Sequence, residues 1–88
     1  MSSQKAFKVK VVNADTVLID AEAASLTAQN REGKFDILPD HQPFITLLQA
    51  GDVLIRKTDR QLETVTITQG VLRFADNNAV ILVNIDVK

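Results

Sequence analysis

The 88-residue sequence contains no cysteine, tryptophan or tyrosine, and its one histidine is His41. Without cysteine, neither a disulfide framework nor a thiolate metal site can form, and a single histidine cannot build a zinc site alone, so no bound metal is expected. Sugar-binding surfaces rely on exposed aromatic side chains, and the sequence has only four phenylalanines, so sugar binding is poorly supported. The apolar core must therefore stabilise the fold without cross-links.

An excess of charge of one sign is also absent, because ten Lys and Arg oppose eleven Asp and Glu. No basic field attracts phosphates, so nucleic acid is not an expected partner. The three glycines are isolated and form no nucleotide-binding loop, so no cofactor is expected. No apolar run approaches the roughly 18 to 20 residues of a spanning helix, and Met1–Lys5 lacks the apolar segment of a secretory signal. We therefore expect a cytoplasmic chain that does not insert into a membrane.

Apolar residues recur with period two or in short runs, and turn residues separate these runs at intervals of about eight to twelve positions. In the first run, Phe7, Val9 and Val11 alternate with Lys8 and Lys10. Since successive side chains of a strand point to opposite faces, this run predicts a strand with one apolar and one wet face. The whole pattern indicates an all-β protein.

Further strands are expected at residues 16–20, 21–29, 35–38, 44–48, 52–57, 62–69, 71–75 and 79–83. The segment 21–29, with Ala24, Leu26 and Ala28 inward, is compatible with helix by propensity, but its neighbours favour strand. The segment 79–83 is apolar on both faces, which is typical of a central strand covered on both sides. So many short strands favour two packed sheets, and we predict a single β-sandwich domain over residues 1–88, with a core covering about 6–84.

Asp36, Asp40 and His41 form the one cluster that could support acid-base chemistry, with a carboxylate orienting an imidazole. No serine lies in a glycine-rich elbow that would make it a nucleophile. A turn histidine bonded to backbone groups beside Pro39 and Pro43 is the preferred interpretation, and no catalytic residue is expected.

Phe44, Ile45, Leu47 and Leu48 are more large apolar residues than one inward strand face can bury by alternation. Two interpretations stand. Some of these side chains lie on a second face that a partner covers, or a neighbouring loop of the same domain buries them.

Residues 33–51 read GKFDILPDHQPFITLLQAG and resemble the pattern G-E-x-G-I-L-P-G-H-A-P-L-x-T-x-L-x-P-G of the epsilon subunit of F-type ATP synthases. Residues 67–74, ITQGVLRF, are similar to V-S-G-G-F-L-E-V, and residues 78–83 look like the family's N-x-V-T-V-L. The resemblance runs from about residue 7 to residue 83. It implies a flattened β-sandwich of about ten short strands.

The resemblance also implies a function. Members of this family are non-catalytic central-stalk subunits of the rotor, which bind the gamma subunit and the c-ring and couple ion translocation to ATP synthesis. The expected location is the cytoplasmic face of the inner (plasma) membrane, where the chain is held peripherally through the ATP synthase complex. The alternative is a free-standing β-sandwich module that binds a small ligand.

Two sets of contact residues are carried over from the family. The loop that touches the c-ring corresponds to Asn30, Arg31, Glu32, Gly33 and Lys34, and the contacts with gamma correspond to Asn13, His41, Phe44 and Leu47. Lys34 stands where the family usually has an acidic residue, and Asp40 stands where it has a glycine. Typical bacterial members continue into a C-terminal helical hairpin, which is not expected here because the sequence ends at Lys88.

Overall fold

The computed structural model describes residues 6–84, and these form eight β-strands and no helix. The strands are β1 (Phe7–Asn13), β2 (Thr16–Asn30), β3 (Gly33–Ile37), β4 (Phe44–Leu48), β5 (Gly51–Lys57), β6 (Leu62–Ile67), β7 (Gln69–Ala75) and β8 (Asn78–Asn84). They hydrogen-bond in the order β4-β7-β8-β1-β2-β5-β6, and β3 also pairs with β2. Every pair is antiparallel except β1 with β8, which is parallel. The all-β prediction is confirmed.

The 15-residue strand β2 belongs to both layers of the sandwich. Its first half pairs with β1, and its second half pairs with β3 and β5. We call β4, β7, β8, β1 and the first half of β2 the first layer, and the remaining strands the second layer. The two layers meet where the Gln49 amide donates to the Gln29 carbonyl at 2.9 Å, beside the end of β4.

The core lies between the layers and receives side chains from every strand. Its buried members are Phe7, Val9, Val11, Ala23, Leu26, Ala28, Ile37, Leu48, Val53, Ile55, Ile67, Leu72, Phe74, Ala79, Ile81 and Val83. Lys8 and Lys10 are exposed, so the alternation predicted for β1 is confirmed. No polar or charged side chain is buried among the described residues. Burial of apolar area therefore supplies the main stabilising free energy.

Residues 6–84 contain eight strands where about ten were expected, and β2 accounts for part of the difference. Segments 16–20 and 21–29 form one strand, so strand rather than helix is correct for the alanine-rich part. The pairing of β2 with β5 shifts register between Ala23 and Ser25. Ala23 and Leu26 are both buried, although residues three apart face opposite sides in a regular strand. The prediction that Ala24 points inward is therefore wrong, and that residue is only half-buried.

Strand β8 lies between β7 and β1, as expected for a central strand. Ala79, Ile81 and Val83 are buried on its inner face, but Leu82 on its outer face is 54% exposed. The prediction that both faces are covered is thus wrong for the chain by itself. Leu82, although it lies on a central strand, is therefore free to contact another protein.

Candidate partner-binding site

A row of apolar side chains crosses the outer face of the first layer. Direct cross-strand pairing joins its members, since Leu47 pairs with Val71, Val71 with Leu82, Leu82 with Val12, and Val12 with Val17. We call these five residues the apolar row. Leu47 is 67% exposed and Val17 50%, so both ends are open to solvent. The row crosses the strands over about 19 Å at the usual spacing of neighbouring strands. Apolar surface of this kind that is left open to solvent is a candidate interaction site.

The apolar row answers the question raised by the excess of apolar residues at 44–48. Leu48 is buried and Phe44 packs against the core, whereas Ile45 and Leu47 are each 67% exposed. Strand β4 thus has an inner apolar face and an outer apolar face. The interpretation that a loop of the same domain buries these side chains is therefore wrong for Ile45 and Leu47. The described residues leave the outer face of β4 uncovered.

Residues 30–34 form the tip of the β2–β3 hairpin. Asn30 pairs with Gly33 in the ladder, so the turn consists of Arg31 and Glu32 alone. Asn30 Oδ1 accepts a hydrogen bond from the Glu32 amide at 2.9 Å, and Asn30 Nδ2 donates to Thr46 Oγ1 on β4 at 3.2 Å. The asparagine therefore shapes the turn and ties it to β4.

The hairpin tip presents charge to solvent. Arg31, Glu32 and Lys34 are exposed, while Gly33 has a φ of 122°, a conformation that favours glycine. Of the five residues predicted as a contact loop, these three charged side chains are available to a partner. Asn30 and Gly33 instead set the shape of the tip.

His41 lies on the connection between β3 and β4, and its ring packs against two phenylalanines. Its ring centroid is 4.9 Å from that of Phe44 and 5.9 Å from that of Phe74. His41 Nδ1 lies 2.8 Å from the Gln42 carbonyl oxygen, which can only accept, so Nδ1 carries the proton in this arrangement. His41 is exposed, so its ring is also open to contact from a partner.

A reciprocal pair of hydrogen bonds holds this connection to the β7–β8 turn. The Asp40 amide donates to Asn77 Oδ1 at 2.7 Å, and Asn77 Nδ2 donates to Asp40 Oδ1 at 2.9 Å. The Asn77 carbonyl also accepts from the Lys8 amide at 3.0 Å. Asp40 and Asn77 have φ angles of 67° and 56°, in the left-handed region that Asp and Asn tolerate. We call this pair the clasp, and it fixes the residue that precedes His41.

Asn77→Gly should destabilise the protein by about 1 kcal/mol, because it removes the clasp while keeping a backbone that glycine adopts freely. Asn77→Ala should cost about 1 kcal/mol more, since alanine is strained at this φ. Urea unfolding followed by circular dichroism measures both. Asp76→Gly is the matched control, because Asp76 has a φ of 52° in the same turn but lies outside the clasp. Equal losses from Asn77→Gly and Asp76→Gly would contradict a stabilising role for the clasp.

The four residues expected to contact gamma do not form one cluster. His41 and Phe44 pack together beside Phe74, which pairs with Ala79 at the start of β8. Asn13 pairs with Val83 near the other end of β8, about 13 Å along the strand from Ala79. Leu47 belongs to the apolar row.

The other four members of the apolar row were not predicted from the sequence as candidate contacts: Val12, Val17, Val71 and Leu82. Their signal was present in the sequence as apolar residues at the outward positions of otherwise alternating strands.

Two surface grooves adjoin the hairpin tip. One, of about 630 Å³, lies between Arg31 and the residues around Gly70, including Leu47 and Leu82 of the apolar row. The other, of about 580 Å³, lies between the hairpin tip and β4 and is lined by Arg31, His41 and Leu47 among others. Arg31 and Leu47 line both grooves, so the hairpin tip adjoins Leu47, whereas Asn13 lines neither groove.

Asp36, Asp40 and His41 have separate bonding partners. Asp36 Oδ1 accepts from Thr27 Oγ1 at 2.6 Å, Asp40 joins the clasp, and His41 bonds to the Gln42 carbonyl. Within residues 6–84, no group of three or more His, Asp or Glu side chains is placed to hold a metal ion. The same part of the chain contains no helix that is long and apolar enough to cross a membrane.

Comparison with known proteins gives a family match over residues 6–87 to the ATP synthase, Delta/Epsilon chain, beta-sandwich domain. An ATP synthase epsilon chain of Sulfurimonas denitrificans is 36% identical over 76 residues, which cover 86% of this chain and 58% of the relative. One of Moorella thermoacetica is 36% identical over 84% of this chain and 55% of the relative. The chain thus spans little more than half the length of these two relatives. One of Chlorobium limicola is 30% identical over 92% of both chains.

Solved structures agree on the fold. A chain of the Euglena gracilis mitochondrial ATP synthase, in a structure of OSCP, F1 and the c-ring, superposes with a TM-score of 0.83 at 16% identity. The match covers 89% of this chain and 50% of the other. A chain from the central stalk and c-ring of the Tetrahymena thermophila mitochondrial ATP synthase gives a TM-score of 0.75 at 20% identity, over 88% of this chain and 62% of the other. Since the family match covers nearly the whole chain, the protein belongs to the ATP synthase delta/epsilon chain family through its β-sandwich domain.

Proposed function

We propose that this chain is a non-catalytic central-stalk subunit of an F-type ATP synthase, which binds the gamma subunit and the c-ring and so couples ion translocation to ATP synthesis. It reaches the cytoplasmic face of the membrane through that complex and does not insert into the bilayer. Family membership supports the role, and the relatives are named ATP synthase epsilon chains. The structures with the same fold come from assemblies that contain the c-ring.

The apolar row is the observation that carries this proposal. A sheet face with solvent on it normally carries polar side chains, whereas this one carries a continuous line of Val and Leu. Removing the exposed parts of Leu47, Val71 and Leu82 from water contributes favourable free energy at about 25 cal/mol per Å² of apolar area. We assign this face to gamma, because a partner that turns with the chain needs a dry and stable contact.

We assign the hairpin tip to the c-ring. Its exposed Arg31, Glu32 and Lys34 are polar contacts of the kind found at the rim of an interface. Asn30 holds the tip against β4 through Thr46, so the charges are carried on a braced turn rather than on a loose loop. The same bracing transmits force from the tip into the first layer.

Arg31→Glu combined with Lys34→Glu should weaken attachment to the c-ring while binding to gamma stays within about twofold of wild type. The double change reverses two exposed charges of the tip and leaves the apolar row intact. Purified gamma and a purified c-ring subcomplex, each immobilised in turn, provide the two binding measurements.

The wild-type chain should form a stable one-to-one complex with folded gamma, as measured by size-exclusion chromatography with light scattering. Absence of that complex would contradict the proposed function as a whole. Equal loss of gamma and ring binding in the double variant would show instead that the tip has a structural role. Arg56→Glu with Arg60→Glu, in the β5–β6 hairpin, is the control, because it also reverses two exposed positive charges but lies in the second layer.

A further inference from the structure

Arg73 lies on the same outer face as the apolar row, one row away from it. It pairs directly with Ile45 on β4 and with Val80 on β8. Val71 lies two positions before it on the same strand and therefore points to the same side. An exposed guanidinium is thus set among apolar side chains near the middle of the first layer.

Other charges on this face have opposite charges across the ladder, but Arg73 does not. Lys10 pairs in register with Asp20, and Lys8 pairs with Glu22. Within residues 6–84, Arg73 has neither an ion pair nor a side-chain hydrogen bond. Arg73 is therefore a positive charge of this face that has no acidic residue opposite it in the ladder, and it lies among the residues that a partner must cover.

We infer that Arg73 is a specificity-determining residue of this face and that it pairs with a carboxylate of the gamma subunit. The inference rests on the proposed function, because covering the apolar row removes water from Arg73 as well. A buried charge without a partner costs several kcal/mol, whereas a charge pair across an interface offsets that cost and fixes the register of the two surfaces. Arginine is also enriched among the residues that dominate binding energy at interfaces.

The sign of this charge has a consequence for partner choice. The pattern V-S-G-G-F-L-E-V, which residues 67–74 resemble, has glutamate at the position of Arg73. The charge at this point of the face is thus reversed relative to that pattern. A gamma surface suited to a glutamate would repel Arg73, so this chain should select a gamma subunit that presents an acidic side chain there.

Arg73→Glu should weaken binding to the gamma subunit of the same complex by about 100-fold, and Arg73→Gln by about tenfold, as measured by surface plasmon resonance with immobilised gamma. The urea midpoint of the free chain should stay unchanged, since Arg73 makes no ion pair within the described residues. Arg56→Glu is the matched control, because Arg56 is exposed on β5 in the second layer. It should leave gamma binding within about twofold.

Charge reversal in the partner completes the test. Each acidic residue of gamma is changed to lysine in turn, and one of these variants should restore binding of Arg73→Glu to within about tenfold of wild type. Equal effects of Arg73→Glu and Arg56→Glu would overturn the inference, as would a scan in which no variant restores binding. If wild type itself fails to bind gamma, the proposed function fails. If wild type and Arg73→Glu bind equally well, only the role of Arg73 fails.

Discussion

Leu82→Asp should weaken the binding of this chain to gamma by about 100-fold while costing the free chain no more than about 1 kcal/mol of stability. Leu82 is the middle member of the apolar row, between Val71 and Val12, and is 54% exposed. In the free chain the new carboxylate stays in water. In the complex apolar surface would cover it, and taking a carboxylate out of water costs free energy even if Arg73, one row away on the same face, pairs with it.

Leu62→Asp provides a matched control for this prediction. Leu62 has the same exposed fraction, 54%, but lies on β6 in the second layer. Isothermal titration calorimetry with purified gamma compares the two variants, and urea unfolding reports their stability. If both changes weakened gamma binding equally, the assignment of gamma to the apolar row would be contradicted. The assignment would also be wrong if Leu82→Asp bound gamma as tightly as wild type.

The fold class could be predicted because period-two patterning is read from the sequence without knowing which strands pair. Phe7, Val9 and Val11 alternate with lysines, and the structure buries the first set and exposes the second. The pairing of strands, by contrast, depends on contacts between residues that are distant in the sequence. The parallel pairing of β1 with β8, for instance, joins the two ends of the described chain and has no local signal.

The register shift in β2 limited how well the inward-pointing side chains of this strand could be predicted. A single extra residue between Ala23 and Ser25 reverses which side chains point inward from that position onward. Nothing in a run of alanines and a serine indicates where such a bulge lies, because small side chains fit either face. The core role of Ala23 could therefore not be predicted, whereas that of Leu26 could.

The candidate site could be predicted only in part, because the sequence does not show which apolar faces the fold covers. Sequence patterning identified the apolar excess at 44–48 and the two-sided character of 79–83, but it could not tell a face covered by the same chain from one left open. The structure places Leu47 and Leu82 in one row and leaves both open. Strand β8 is apolar on both faces, but the chain covers only one of them. This arrangement is expected where a partner covers the other face.

Phe74→Ala should destabilise the chain by about 3 to 5 kcal/mol, the largest stability effect expected among these variants. Phe74 is 1% exposed, and its ring makes T-shaped contacts with Phe7 and His41 at centroid distances of 5.5 and 5.9 Å. Removing the ring leaves a cavity in the core beside Phe7 that the sheet cannot close without breaking its ladders. A domain of this size has about 5 to 10 kcal/mol of total stability, so much of it would be lost. Since tryptophan and tyrosine are absent, far-ultraviolet circular dichroism in urea is the measurement.

Phe74→Leu separates the packing role of this residue from its contact with His41. Leucine fills most of the volume, so the stability loss should fall to about 1 to 2 kcal/mol and the protein should remain folded. The ring against His41 is nevertheless gone, so the imidazole proton resonances should move in the NMR spectrum. Phe44→Leu is the paired variant, because the Phe44 ring also packs against His41, with centroids 4.9 Å apart, but Phe44 is only half-buried and its substitution should cost less stability. If Phe44→Leu cost as much as Phe74→Leu, the stability would depend on the aromatic contacts of His41 rather than on filling the core.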